Sequence, residues 1–557
     1  MTDLHLPFWP ASAPRRLWVP DTTLSYNVEV AAARFPDKTF MIFYDTAISY
    51  RRFREESERI AGYLQQACGV KQGDRVLLDM QNSPQWITAF YGILRAGAVV
   101  VPVNPMNLAN ELRHYAQDSG ARVAFVAQEL YPRIQPLLAD DLQTVIVASY
   151  SDYLESATDL DVPEFVAAPR LPVADRGAVA WSDMMAAGLQ PADLRTTPDD
   201  LAVMPYTSGT TGQPKGCMHS HRTVMYNTVG NGIWAQSTQG SVGLAVLPLF
   251  HVTGMQANMN AVIYTGGTVV LLPRWDRDAA AACVQRYRIT GMALITAMVV
   301  DFMANPKLAE YDLSSLRRIA GGGAAMPKAL AAAMEQKLGL KYGEGYGMTE
   351  TMAATHSNPA DRPKQQCLGI PLWDVDARIV APGTERELPQ GETGEIIVHG
   401  PQVMLGYWKQ PQATAEVFVE IDGKRFLRTG DLGYVDEEGY FFFADRLKRM
   451  INAAGFKVWP AEVEAILYHH PAIQEACVIS AQDERRGETV KAVIVLKPGA
   501  AGQVSAEQIT EWARENMAAY KVPRIVQFVD SLPKSGAGKV MWRALQDAEK
   551  GEGVRRL

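Results

Sequence analysis

The sequence predicts an α/β protein with a large N-terminal domain, residues 1–447, and an α+β C-terminal domain, residues 448–557; the large domain comprises two doubly wound subdomains plus a small β-barrel. Three observations predict this. Strand-like and helix-like segments alternate from about Gly73, short β-rich pieces take over after Asp361, and a compact mixed block begins near Leu447. Such alternation builds a parallel sheet covered by helices. At 557 residues the chain is also too long for one ordinary core.

Taken in order, GDRVLLDM reads as a strand, SPQWITAFYGILRAG as an amphipathic helix, AVVVPV as a buried strand, NLANELRHYAQDSG as a helix and RVAFVA as a strand. The alternation resumes with VGLAVLPL, AVIYTGGTVVLLP and MALIT as strands, and with PKALAAAMEQKLG as a helix starting on Pro327. VDARIVAPGTERELPQGETGEIIVHG and RFLRTGDLGYVDEEGYFFFADR then predict hairpins or a small barrel. The last block holds a helix from Ala461 to His469, strands at IQEACVIS, VKAVIVLK and RIVQFV, and a helix at SAEQITEWARENMAAY.

Composition narrows the class. Hydrophobic residues at 47% and charged residues at 21% are those of a globular protein with sizeable cores. The net charge of −7 comes from interspersed signs without a basic stripe, so no nucleic-acid partner is expected. Cysteines 68, 217, 283, 367 and 477 lack Cys-x-x-Cys spacing, which argues against zinc and a disulfide framework and fits a reducing, cytoplasmic setting. Prolines interrupt the N-terminal stretch where a signal peptide needs an apolar core, and no apolar run approaches the ~20 residues of a spanning helix. A homodimer is compatible with all of this.

The most informative stretch is YTSGTTGQPKG, residues 206–216. Gly209, Gly212 and Gly216 let the backbone turn its N–H groups toward phosphate oxygens. Thr207, Ser208, Thr210 and Thr211 add hydroxyl donors, and Lys215 adds charge. The common P-loop needs Ser or Thr directly after its lysine to hold magnesium; here Gly216 follows Lys215, so a P-loop NTPase is disfavoured. A Gly/Ser/Thr-rich surface loop is the plain alternative.

Together with GYGMTE (345–350), RTGDLGY (428–434), DRLKRMINAAGFKVWPAEVE (445–464) and PKSGAGK (533–539), this loop resembles the adenylate-forming superfamily, in particular its acyl-CoA synthetase branch of bacterial medium- and long-chain fatty-acid–CoA ligases. Five motifs in family order cover most of the chain. The resemblance implies a mobile C-terminal domain and a reaction in which a carboxylate, ATP and coenzyme A give acyl-CoA, AMP and pyrophosphate through an acyl-adenylate, with magnesium.

Carried onto this sequence, the resemblance makes Glu350 the magnesium ligand, Thr349 a contact of the α-phosphate, and Lys539 the lysine bridging the carboxylate and that phosphate. Gly322, Gly323 and Ala324 lie under the adenine, and Gly345, Tyr346 and Gly347 complete the nucleotide site. Asp431 meets the ribose hydroxyls, and Arg446 the ribose or the phosphates. Asp445 and Lys448 form the hinge, with Arg449 where many members carry an acid. Gly455 and Phe456 line the coenzyme A tunnel, with Lys457 meeting phosphate nearby; Glu462 and Glu464 fall on the solvated side of the following helix. His251 borders the acyl pocket in this reading, and a packed neutral histidine is its plain alternative.

The segments VTGMQANMN, TAMVVDFM and MTETMAAT are rich in methionine and small residues, with no cation awaiting a second carboxylate. Methionine-lined sites adapt to flexible apolar ligands, so a medium- to long-chain fatty acid is the expected substrate. An aryl acid such as a hydroxycinnamate or benzoate is the second expectation, and loading of a carrier protein the third.

Overall fold

A computed structural model describes the chain except residues 1–3, 139, 194, 208–213, 324–325, 454–455, 484–486, 501, 535–539 and 556–557, and except the side chains at 448, 452, 456–457, 487 and 552–555. The chain divides into two compact units, residues 5–376 with 399–420, and chiefly residues 377–398 with 421–557.

The first unit is built on two nine-stranded sheets. In one, Arg75–Asp79 lies between Val99–Pro102 and Val123–Ala127, with Thr144–Ala148 and Ala178–Ala180 beyond, all parallel. In the other, the parallel strands Thr268–Leu271, Val242–Ala245, Gly291–Ala293, Arg318–Gly322 and Tyr342–Met348 follow in that spatial order. The central strands are apolar runs because helices cover both faces.

Helix Pro84–Arg95 starts where Ser83 accepts from Trp86 N and Pro84 occupies the first turn. Every residue from Pro84 to Leu94 is buried, so the helix predicted as amphipathic is enclosed all round. Two further expectations change. AVIYT forms helix Ala261–Thr265, ended by Gly266 at φ 74°, and only Thr268–Leu271 is a strand. Pro327 caps helix Lys328–Leu338 from outside rather than starting it. Strands Thr39–Phe43 and Thr46–Ser49, outside the predicted alternation, extend the second sheet by pairing Met41 with Val269.

The second unit contains a five-stranded sheet over residues 376–446 and another over residues 451–528, so position 448 falls between them. The C-terminal helices are Pro460–Leu467, Ala506–Asn516 and Trp542–Arg555, the second started by a capping box between Ser505 and Gln508. Among the described residues no helix is long and apolar enough to cross a membrane.

Candidate active site

The phosphate-loop motif is carried by a hairpin. Strand Tyr206–Thr207 pairs antiparallel with Lys215–Ser220, Thr207 opposite Lys215, and the two strands flank residues 208–213. Ser208, Gly209, Thr210, Thr211 and Gly212 lie outside the described residues. The hairpin base is anchored to helix Ala109–Ser119: Tyr206 Oη donates to Asp118 Oδ2 at 2.6 Å, and His114 Nε2 donates to Pro214 O at 3.1 Å. Lys215 Nζ stands 5.1 Å over the ring of Tyr407, a cation–π arrangement that fixes the ammonium without neutralising it.

Tyr407 also organises the acid of the site. Its hydroxyl donates to Glu350 Oε1 at 2.9 Å, and Met404 N donates to the Glu350 carbonyl at 2.8 Å. Burial first, and the Glu350 charge second, raise the Tyr407 phenol far above its ordinary range, so it stays a donor. Strand Gly406–Tyr407 reaches this place by pairing with Met218 and Cys217, next to Lys215.

Thr349 and Glu350 open a short turn, Thr349–Thr351, after strand Tyr342–Met348. His219 Nε2 donates to the Thr349 carbonyl at 2.8 Å, and burial lowers this histidine to about 4, which keeps it a neutral strut. Asn227 Nδ2 donates to Thr351 O at 3.0 Å and Met352 O at 2.7 Å. These bonds hold Met352 and Ala353 at φ 48° and 85°, strained for residues with side chains. A Cβ on Gly347 would fall 1.7 Å from Ala353 O, so this glycine is required by the turn itself.

Gly322 ends strand Arg318–Gly322 and Gly323 follows it, and Gly322 pairs with Gly345. A Cβ on Gly322 would come within 2.3 Å of Gly345 O, so close strand approach demands glycine here before any ligand is considered. Ala324 lies outside the described residues. Tyr346 packs against His356 with ring centroids 5.7 Å apart. Glu344, on the same strand, accepts from Gln366 N at 2.8 Å, and burial pushes its carboxyl up to about 7. His251 is exposed rather than packed: it caps helix Val252–Met255, its Nδ1 accepting from Thr253 N at 3.4 Å. Its loop is pinned by Asn82, which donates to Leu247 O at 3.0 Å and accepts from Leu249 N at 2.8 Å.

In the second unit, Asp431 and Arg446 face each other across paired strands, with Arg446 Nε 3.3 Å from Asp431 Oδ1. Asp431 is buried and Arg446 half exposed. Thr429 Oγ1 accepts from Asp431 N at 3.1 Å, and Gly430 at φ 69° makes the bend between them. Asp445 is fully buried and receives Arg446 N and Ala461 N, both at 2.6 Å. Arg449 lies 3.9 Å from Asp445 and is paired with Glu464, which also receives Val478 N at 2.7 Å. Glu464 is therefore a buried partner rather than a solvated helix residue, and the unusual Arg449 has its counter-charges in place. Glu462 stays half exposed and pairs with Lys521. Lys448 sits in the turn Leu447–Arg449, and Phe456 and Lys457 in strand Phe456–Val458. Their side chains, with Gly455 and Lys539, lie outside the described residues.

A lysine beside a glycine-rich hairpin, a buried carboxylate held by a tyrosine, and strands ending on glycines define an α/β enzyme built to handle nucleotide phosphates. Comparison with known proteins makes this specific. The AMP-binding enzyme family matches residues 28–408, and its C-terminal domain matches residues 462–539. A long-chain-fatty-acid–CoA ligase of Bacillus subtilis is 36% identical over 97% of both chains. A feruloyl-CoA synthase of an Amycolatopsis species is 35% identical over 91% of this chain and 95% of its own. The crystal structure of an anthranilate CoA ligase in complex with anthranoyl-AMP aligns with a TM-score of 0.82 at 27% identity, over 96% of this chain and 99% of that one.

The chain belongs to the AMP-binding enzyme family, in its acyl-CoA synthetase branch. It is an acid–thiol ligase that forms acyl- or aryl-CoA through an adenylate, with ATP, magnesium and coenzyme A. Glu350 suits magnesium, a hard cation that takes oxygen ligands. Among the described residues no three acids, histidines or cysteines could hold a metal by themselves. One carboxylate accords with an ion that takes its other ligands from nucleotide phosphates and water.

Proposed function

We propose that the acid activated is a medium- to long-chain fatty acid. The observation that carries this reading is the 36% identity over 97% of both chains with a long-chain-fatty-acid–CoA ligase. A carboxylate oxygen attacks the α-phosphorus of ATP and the bond to pyrophosphate breaks; the coenzyme A thiolate then attacks the acyl carbon and the bond to AMP breaks. Lys215 and Lys539 offset the repulsion between carboxylate and phosphates. Glu350 holds magnesium, Thr349 meets the α-phosphate, and Asp431 with Arg446 takes the ribose. Asp445 and Lys448 act as a hinge at the 447/448 boundary, and the Gly455 loop serves coenzyme A, in a cytoplasmic enzyme. No enzyme nucleophile takes part.

A second reading, an aryl acid, is favoured by the feruloyl-CoA synthase relative at 35% identity. Purified protein given ATP, magnesium, coenzyme A and a panel of short, medium, long-chain and aromatic acids tests both, with thioester and AMP detected by mass. Thioester from medium and long alkyl acids supports the first reading, and thioester from aromatic acids alone supports the second. AMP without a thioester would turn the account toward loading of a carrier protein.

A further inference from the structure

Strand Arg318–Gly322 runs from a half-buried arginine to the glycines of the nucleotide segment. Its alternate residues differ: Ile319 is fully buried, whereas Arg318, Ala320 and Gly322 are partly exposed. Their neighbours on that face are small, Gly291 and Ala293 on one side, Gly343 and Gly345 on the other. A Cβ added at Gly291 would meet only Arg318 O, at 3.9 Å, and one at Gly243, its partner on the next strand, would meet nothing within 4 Å. Open space therefore overlies this face at Gly291 and Gly243. Four residue steps of strand separate Gly322 from Arg318, a span of roughly 13 Å.

At the Arg318 end lies a cavity of about 50 Å³, several times the ~10–15 Å³ that holds one water. Asn227, Asn231 and Trp234 line it from one face of helix His221–Trp234, with Gln256 and Ser357 opposite. Trp234 closes it: its ring packs edge-on against Trp9 and Trp373, centroids 5.4 and 5.6 Å away, and its Nε1 donates to Asn358 O. Asn227 ties the wall to the turn bearing Glu350 through its bonds to Thr351 and Met352. The Gln256 amide is used on both sides, donating to Val224 O and accepting from Thr228 Oγ1.

Arg318 differs from these neighbours. Its Nη1 is buried and meets no hydrogen-bond partner among the described residues. Burial lowers the guanidinium only to about 10, so it stays charged at neutral pH. A cation with one buried, unmet donor is costly, and an oxygen anion or acceptor relieves that cost with the geometry guanidinium favours. The segments read from sequence as the acyl pocket hold no cation, and Arg318 comes from none of them.

We infer that the acid activated here carries a second oxygen group at the end remote from its reacting carboxylate, an ω-carboxylate or a phenolic oxygen, and that Arg318 receives it with Asn231 beside it. The inference rests on the acid–CoA ligase reading and narrows its substrate from plain alkyl or aryl acids to oxygenated ones.

The test compares kcat/KM for thioester formation by the full chain within two pairs, octanoate against octanedioate and cinnamate against para-coumarate. The oxygenated member of at least one pair is expected to win by about tenfold or more, and the winning pair identifies the oxygen as carboxylate or phenol. Arg318→Leu should remove that margin, chiefly through KM, and raise the rate with the unsubstituted acid; Arg318→Lys should keep part of it. Should Arg318→Leu not fold, the comparison in the natural protein decides alone. Octanoate and cinnamate serving as well as their partners, or a margin that survives Arg318→Leu, would overturn the inference while leaving the ligase reading intact. Silence with every acid would overturn both.

Discussion

At the scale of single residues, the molecule buries titratable groups at a cost to its stability. Asp79 ends the strand Arg75–Asp79, is 2% exposed, and has one carboxylate oxygen without a partner among the described residues. Burial first, and Glu129 second, push its carboxyl up to about 8 against an opposing pull from Arg133. The folded state thus holds a proton that the unfolded chain releases near its ordinary value of 3.8. Stability accordingly falls as pH rises from about 4 to about 8, and recovers as pH falls through that window. Asp79→Asn removes the penalty: its unfolding free energy should exceed that of the natural protein by a few kcal/mol at about pH 8, on the order expected for such a shift, with the gain fading toward pH 4. Denaturant titrations at several pH values measure this, and a gain equal at pH 5 and pH 8 would contradict it. The residues of the candidate site divide by how they come to it. Lys215, Thr349 and Glu350 stand in local motifs and were legible in the sequence. Tyr407, His219, Asn227 and Arg318 reach their places only through strand pairing and helix packing, so no spacing marks them.

At the scale of elements, the turn after Tyr342–Met348 is the most constrained piece. Gly347 approaches Ala353 O so closely that a side chain cannot fit, and Met352 and Ala353 carry positive φ to make room. Gly347→Ala should therefore lower stability by about 1–3 kcal/mol and cut AMP formation far more than the stability loss alone predicts, because Thr349 and Glu350 ride on the same turn. Thermal unfolding and turnover measured on one preparation separate the two effects; unchanged turnover would show that the turn tolerates displacement. Elements were legible where period and length agreed, as in the parallel strands from Arg75 onward. AVIYT was not, because a short β-branched run that continues into a strand has no distinguishing period. Nor were Thr39–Phe43 and Thr46–Ser49, whose place depends on pairing with Val269, far along the chain.

At the scale of the whole molecule, two activities share one chain: making the adenylate and passing its acyl group to coenzyme A. If Lys539 serves only the first, Lys539→Ala should abolish AMP formation from ATP and acid while thioester formation from supplied acyl-adenylate continues; loss of both would end that division. The claim beneath everything else is the adenylate itself, and one isotope experiment addresses it most directly. An acid labelled with ¹⁸O in both carboxylate positions is converted in the presence of ATP, magnesium and coenzyme A, and the products are weighed by mass spectrometry. Attack of a carboxylate oxygen on the α-phosphorus leaves that oxygen on AMP when the thiolate displaces it, so AMP should carry one ¹⁸O and pyrophosphate none. Label in inorganic phosphate with release of ADP would instead reveal an acyl phosphate, and would contradict the account.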